Sequence, residues 1–144
     1  MNSARRPPPP RAPPLTAGKA GPVNRTMLYI EDHAASRRLV EQVLSMLRPQ
    51  IELHVATNAR DGLTAAIEER PALILLDNRL PDATGGEVLR QLASSEATAA
   101  IPVVIISGDS AKTGDELLAI GASEFLPKPF DIDHLVTMIE RYIH

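Results

Sequence analysis

At 144 residues, 44% of them apolar and none of them cysteine, the chain suits one ordinary domain, and it excludes disulfides, thiolate metal sites and cysteine nucleophiles. No window approaches the roughly 18 apolar residues of a membrane span and no apolar run follows the basic N-terminus, so neither a span nor a secretory signal is expected and the cytoplasm is the expected location. The net charge of −3 is unevenly spread: residues 1–25 carry Arg5, Arg6, Arg11, Lys19 and Arg25 and no acid, while the rest carries 10 basic and 18 acidic side chains, an acidic body that argues against nucleic acid as partner.

Residues 1–25 therefore read as a separate tail. Asn2 to Gly21 is rich in Pro, Ala and Arg, with Pro7 to Pro10, Pro13 and Pro14 almost consecutive. Such a segment has too little apolar area to offset chain entropy, and is expected to be disordered with polyproline II character. A solvated extension is favoured over a docking peptide for a proline-recognising partner. The domain is expected over residues 26–144.

From Thr26 the pattern alternates. The first short apolar run, Met27–Glu31, is followed by a helical stripe of Leu39, Val40, Val43, Leu44 and Leu47 that Pro49 ends. Ile51–Ala56 is the second run, followed by Leu63, Ala66 and Ile67 with Pro71 as the stop. Ala72–Asp77 contains Leu73-Ile74-Leu75-Leu76, apolar on both faces as in a buried parallel strand. Thr84-Gly85-Gly86-Glu87 then has the form of a capping box opening a helix with Val88, Leu89 and Leu92. The fourth run, Pro102–Ser107, is again two-sided, and Leu117, Leu118 and Ile120 follow with Gly121 as the helix stop. Ser123–Pro127 and a last stripe of Ile132, Leu135, Val136, Ile139 and Ile143 complete the chain. Five strands alternating with five helices predict an α/β doubly wound parallel sheet with helices on both faces. Both common layouts of that kind bind ligands at the C-terminal edge of the strands.

The strand ends carry Glu31 and Asp32, then Asp77, then Ser107, then Lys128. Three carboxylates brought to one edge repel, and each resists ionisation if desolvated. Mg²⁺ would resolve the conflict, because this hard cation takes oxygen ligands and keeps waters for an incoming phosphate. A serine hydroxyl and a lysine ammonium suit phosphoryl oxygens, and a carboxylate can act as nucleophile. The set points to phosphoryl transfer onto an aspartate.

On these residues the sequence resembles the receiver domains of bacterial response regulators, the chemotaxis-regulator-like switches of two-component signalling. The resemblance runs from Thr26 to His144 through Tyr29-Ile30-Glu31-Asp32, Leu75-Leu76-Asp77-Asn78-Arg79-Leu80-Pro81 and Gly85. It continues with Val103-Val104-Ile105-Ile106-Ser107-Gly108 and Phe125-Leu126-Pro127-Lys128-Pro129-Phe130. It implies a flavodoxin-like (βα)5 sheet in strand order 2-1-3-4-5. It makes Asp77 the phosphoacceptor and gives Mg²⁺ to Asp32, Asp77 and the backbone carbonyl of Arg79, with Glu31 acting largely through water. Ser107 and Lys128 match the groups that meet the phosphoryl oxygens, small Gly108 leaves it room, and Phe125 matches the aromatic switch residue. Lys128-Pro129 matches a peptide bond that is cis in the family. Arg79 and Asp109 stand at two variable positions that tune phosphoryl lifetime there.

The resemblance implies a sensor histidine kinase or a histidine phosphotransfer protein as phosphodonor. The chain itself would be a switch rather than an enzyme, catalysing only its own phosphorylation and dephosphorylation. A single-domain response regulator would signal through its helix 4, strand 5 and helix 5 face, with Phe125 passing from exposed to buried. The alternative within signalling is a phosphorelay intermediate or the terminal receiver of a hybrid kinase. An aspartate-nucleophile phosphatase is disfavoured, because Arg79 stands where that chemistry needs a second Asp. A purely core role for Phe125 is the less favoured reading. His33, His54, His134 and His144 receive no role, His33 being read as the start of the first helix.

Overall fold

The computed structural model describes residues 23–144, so the expectation for residues 2–21 lies outside the described residues. Five strands, β1 (Thr26–Ile30), β2 (Glu52–Ala56), β3 (Leu73–Asp77), β4 (Val103–Ser107) and β5 (Glu124–Pro127), form one sheet. They alternate with α1 (Ala34–Leu47), α2 (Ala59–Glu69), α3 (Gly85–Ala93), α4 (Ala111–Ile120) and α5 (Ile132–Glu140). All the strands pair in parallel, in the order 2-1-3-4-5 that the resemblance implies. The chain runs outward from β1 to β2 and then returns past β1 to β3, so the winding reverses between β1 and β3. No described helix is long and apolar enough to cross a membrane.

Strand periodicity divides the core into two layers. Met27, Tyr29, Leu73, Leu75, Val104, Ile106 and Leu126 pack on one face against Val40, Val43 and Leu44 of α1 and Leu135 and Ile139 of α5. Their alternates Leu28, Ile30, Ile74, Leu76, Val103 and Ile105 pack on the other against α2, α3 and Leu117 of α4. Every residue of β3 and β4 is buried, as the two-sided apolar runs require.

The helix ends follow local chemistry. Asn58, Thr84, Ser110 and Asp131 each accept a backbone N–H at a helix N-terminus, and the predicted capping box closes between Thr84 and Glu87. α4 stops at Gly121, whose φ of 135° disfavours any side chain. Five residues of the apolar stripes, Leu39, Leu47, Ile67, Leu118 and Ile132, stay 42–48% exposed at the stripe margins. At the domain's start, Asn24 Nδ2 donates to the Arg70 carbonyl and Arg25 Nε to the His144 carbonyl, at 3.0 and 2.9 Å.

His54, on edge strand β2, bridges two carboxylates. Its Nε2 lies 2.5 Å from Glu52 Oε2 and its Nδ1 2.5 Å from Glu69 Oε1 of α2. The Glu52 hydrogen bond, helped by both acidic charges, raises the imidazole pKa above its ordinary value. The bridge therefore contributes its full stability below the ordinary histidine range and loses it as pH rises through the raised value. The melting temperature should fall by a few degrees over that interval, and His54→Gln should flatten this part of the pH profile in thermal denaturation.

Candidate functional site

Parallel pairing delivers every strand's C-terminal end to the same edge. Asp77 closes β3, Ser107 closes β4, Glu31 and Asp32 follow β1 directly, and Lys128 follows β5 directly. Lys128 Nζ lies 3.2 Å from Glu31 Oε1 and 3.3 Å from Asp77 Oδ1, tying β1, β3 and β5 together through one ammonium. Its peptide bond to Pro129 is cis.

Glu31 is fully buried and would be costly there without partners. Tyr29 OH donates to its Oε1 at 3.1 Å, and the His33 backbone N–H donates to Oε2 at 3.3 Å. Burial alone would raise the Glu31 pKa, but the Lys128 charge and the His33 amide outweigh it and hold the group below its ordinary range. Asp77 goes the other way: burial, then the Glu31 charge, raise its pKa against the pull of Lys128. The two carboxylates thus share one cation unequally, and Asp77 is the less readily ionised.

A set of hard ligand atoms surrounds this pair. Glu31, Asp32, His33 and Asp77 each offer one atom within 4.8 Å of all the others. The Arg79 carbonyl lies between two backbone hydrogen bonds, Leu80 to Ala83 and Gly85 to Asn78, and takes no backbone donor itself among the described residues. The three carboxylates make an oxygen donor set that fits Mg²⁺. His33 caps α1 without a side-chain cap; its ring Nδ1 instead lies 3.3 Å from Glu31 Oε2 and 3.4 Å from Asp32 Oδ1.

A second network joins the ends of β3 and β4. Ser107 Oγ donates to Asp109 Oδ2 and accepts from the Asp109 backbone N–H, both at 2.9 Å. Asn78 Nδ2 donates to the same Oδ2 at 2.8 Å, and Arg79 donates through its Nη2 to Oδ1 at 2.8 Å. These donors, Arg79 foremost, hold the Asp109 carboxyl down to about 2. A Cβ added at Gly108 would meet only Lys128 Cβ, at 4.0 Å, so the edge stays open there.

Phe125 differs from expectation. Its ring is already half-buried against the α2–α4 side of the core rather than exposed. Gly114 of α4 lets it lie there, since a Cβ at Gly114 would stand 2.7 Å from Phe125 Cδ2. Beside the ring a groove of about 450 Å³ opens between α4 and β5, lined by Asp109, Asp115, Leu118 and Glu124 among others.

Sequence reasoning therefore assembles Glu31, Asp32, Asp77, Ser107 and Lys128 at one edge, and they are together. It gives no part to Tyr29, His33 or Asn78. Tyr29 is readable: two residues before Glu31, whose backbone directly continues β1, it shares that residue's face. The reach of His33 and Asn78 depends on loop paths that periodicity does not encode.

Residues 27–140 match the response regulator receiver domain. The chain is 36% identical over 122 residues to the C4-dicarboxylate transport transcriptional regulatory protein DctD of Pseudomonas aeruginosa, covering 80% of this chain and 24% of that one. It is 29% identical over 119 residues to the phosphate regulon transcriptional regulatory protein PhoB of the same species, covering 82% and 51%. The chain thus spans between a quarter and half of these curated relatives. Among solved structures, the chemotaxis response regulator CheY4 of Vibrio cholerae superposes with a TM-score of 0.76 at 24% identity, covering 84% of this chain and all of that one. The receiver domain of the P. aeruginosa sensor histidine kinase PA1611, described with a magnesium ion in its active-site cleft, superposes at 0.74 with 22% identity, covering 83% and 98%. The edge-clustered carboxylates, the serine and the lysine stand on the strand order of these folds, and the chain belongs to the response regulator receiver domain family of two-component signalling.

Proposed function

We propose that the chain is a phosphorylation switch that accepts a phosphoryl group on Asp77 and signals through its own surface. The observation that carries this is the placing of the Asp77 carboxylate, 3.3 Å from Lys128 Nζ and inside the Glu31–Asp32 cluster. Asp77 serves as nucleophile: one carboxylate oxygen forms the bond to phosphorus while the P–N bond of a phosphohistidine breaks, and the leaving imidazole nitrogen keeps the electron pair. The donor is a sensor histidine kinase or a histidine phosphotransfer protein. Mg²⁺, held by Asp32, Asp77 and the Arg79 carbonyl, with Glu31 behind a water, would neutralise the charge gathered on the carboxylates and the phosphoryl oxygens.

Lys128 is placed to exchange its carboxylate partners for a phosphoryl oxygen. Ser107, two strands from Glu31, donates to a second oxygen once its hydroxyl turns from Asp109. The output face is α4, β5 and α5, where the groove beside Phe125 offers a downstream protein a surface sensitive to the position of that ring. Because a ligand shifts a conformational equilibrium only by its differential affinity, the change at this face is modest.

With Mg²⁺ present, beryllofluoride should mimic the phosphoryl group and perturb the NMR amide signals of residues 107–130 well beyond the pocket. Ser107→Ala should shrink that spread while Asp77 still takes label from acetyl phosphate. Perturbations confined to the neighbours of Glu31, Asp32 and Asp77 would overturn the surface output and leave a passive relay.

A further inference from the structure

We infer that Asp109 acts as a built-in anion that occupies the hydrogen-bond donors a phosphoryl group on Asp77 must claim, so that expelling it from Ser107 is the step that sets the switch. The inference rests on Asp77 being the acceptor, and adds a positioning residue that acts on that reaction through Ser107.

The hydrogen-bond geometry is specific to one oxygen. Asp109 Oδ2 accepts from Ser107 Oγ at 2.9 Å, from Asn78 Nδ2 at 2.8 Å and from Arg79 Nε at 3.4 Å, while Oδ1 accepts from Arg79 Nη2 at 2.8 Å. A carboxylate oxygen surrounded by a hydroxyl, an amide and a guanidinium has the donor set typical of a bound anion. The donors come from both sides of the acceptor edge: Asn78 and Arg79 follow Asp77 at the end of β3, and Ser107 ends β4.

Ser107 has a single hydroxyl hydrogen. While that hydrogen lies on Asp109 Oδ2 it cannot reach a phosphoryl oxygen, and the Asp109 backbone N–H fixes the same Oγ from the other side. Turning Ser107 inward therefore breaks two hydrogen bonds with one residue. The side chain of Asp109 is only 21% exposed, so these bonds are partly shielded from water, whereas Arg79, at 81%, holds the carboxylate from the solvent side. A phosphoryl group arriving on Asp77 brings negative charge to the edge where Asp109 already sits. Mutual repulsion and competition for one hydrogen then act in the same direction, loosening Asp109 from Ser107. Asp109 lines the α4–β5 groove as well, so its release alters the face proposed for output.

Beryllofluoride affinity, read from amide shifts in saturating Mg²⁺, tests this on the full chain, with the amide spectrum as the check on fold. Asp109→Ala should bind about tenfold more tightly than the wild type, the scale of one charge-assisted hydrogen bond no longer to be broken. Asp109→Asn keeps an acceptor for Ser107 without the charge and should gain less. Arg79→Ala, which frees the carboxylate on its solvent side, should gain less again. In a Ser107→Ala background most of the Asp109→Ala gain should disappear, leaving only the part due to charge repulsion. A gain undiminished there would mean simple charge repulsion, and an unchanged or weakened Asp109→Ala would mean no competition; either result overturns the inference. Failure of the wild type to bind beryllofluoride at all would instead count against Asp77 as acceptor.

Discussion

Asp77→Asn should reduce labelling by a phosphorylated kinase or by acetyl phosphate at least about a hundredfold, to background, because group transfer without its nucleophile has no covalent route. The substitution nearly preserves shape. Asp77 is 5% exposed at the end of a fully buried strand, so the amide occupies the same space and the sheet should stay intact. The chemistry does not survive, since an amide cannot form an acyl phosphate. Nor is Glu31 a ready substitute. Glu31 is fully buried, with one oxygen shared between Tyr29 OH and Lys128 and the other facing His33. Stability should move in the opposite sense to activity. Burial and the Glu31 charge make the Asp77 carboxylate hard to ionise, and a neutral amide removes that repulsion. A variant that is inert to phosphodonors yet melts no lower than the wild type is therefore the expected result. Full labelling of Asp77→Asn would sink the assignment.

Much of this site was legible in the sequence because strand ends are. A two-sided apolar run that stops at a polar residue fixes where that residue stands, and parallel pairing does the rest. Asp77 and Ser107 are read this way from Leu73-Ile74-Leu75-Leu76 and Val103-Val104-Ile105-Ile106. What periodicity cannot convey is which rotamer a side chain takes after the strand ends. Periodicity puts Ser107 at the edge, yet its engagement with Asp109 arises from the turn of residues 107–109, a local hydrogen-bond competition invisible in a pattern of apolar residues. Asp82 is a second case: from the β3–α3 loop its carboxylate accepts the Ala59 and Arg60 amides at 2.7 and 3.0 Å, capping α2 across 23 residues of sequence. Phe125 is a third, since its half-buried pose depends on the missing side chain at Gly114, eleven residues away and on another element. The apolar stripes likewise overstate burial at Leu39 and Ile67, because a helical face shows which way a helix turns but not how far its neighbours extend over it.

Asp32→Ala should abolish the effect of Mg²⁺ and phosphorylation together while leaving the fold in place. Within the acidic cluster the three carboxylates are not equivalent. Glu31 is fully buried with donors on both oxygens, and Asp77 faces Lys128. Asp32 is one-third exposed on its side chain and meets only the His33 ring among the described residues. It is the carboxylate with lone pairs to offer and a path to water, both of which a weakly dehydrating cation needs. Wild-type protein should therefore melt at a higher temperature as Mg²⁺ is added, since a ligand that binds only the folded chain stabilises it by mass action. In Asp32→Ala that rise should vanish, and labelling from acetyl phosphate should fall with it by about a hundredfold, the scale on which removing charge stabilisation slows group transfer. EDTA should reproduce the loss in the wild type. The metal-free variant should melt no lower than the metal-free wild type, because the Asp32 charge is one of those raising the Asp77 pKa and its removal relieves repulsion. That opposite sign separates loss of a ligand from damage to the fold. If Asp32→Ala keeps both the Mg²⁺-dependent rise and the label, the cation is held elsewhere and the carboxylate edge has another purpose.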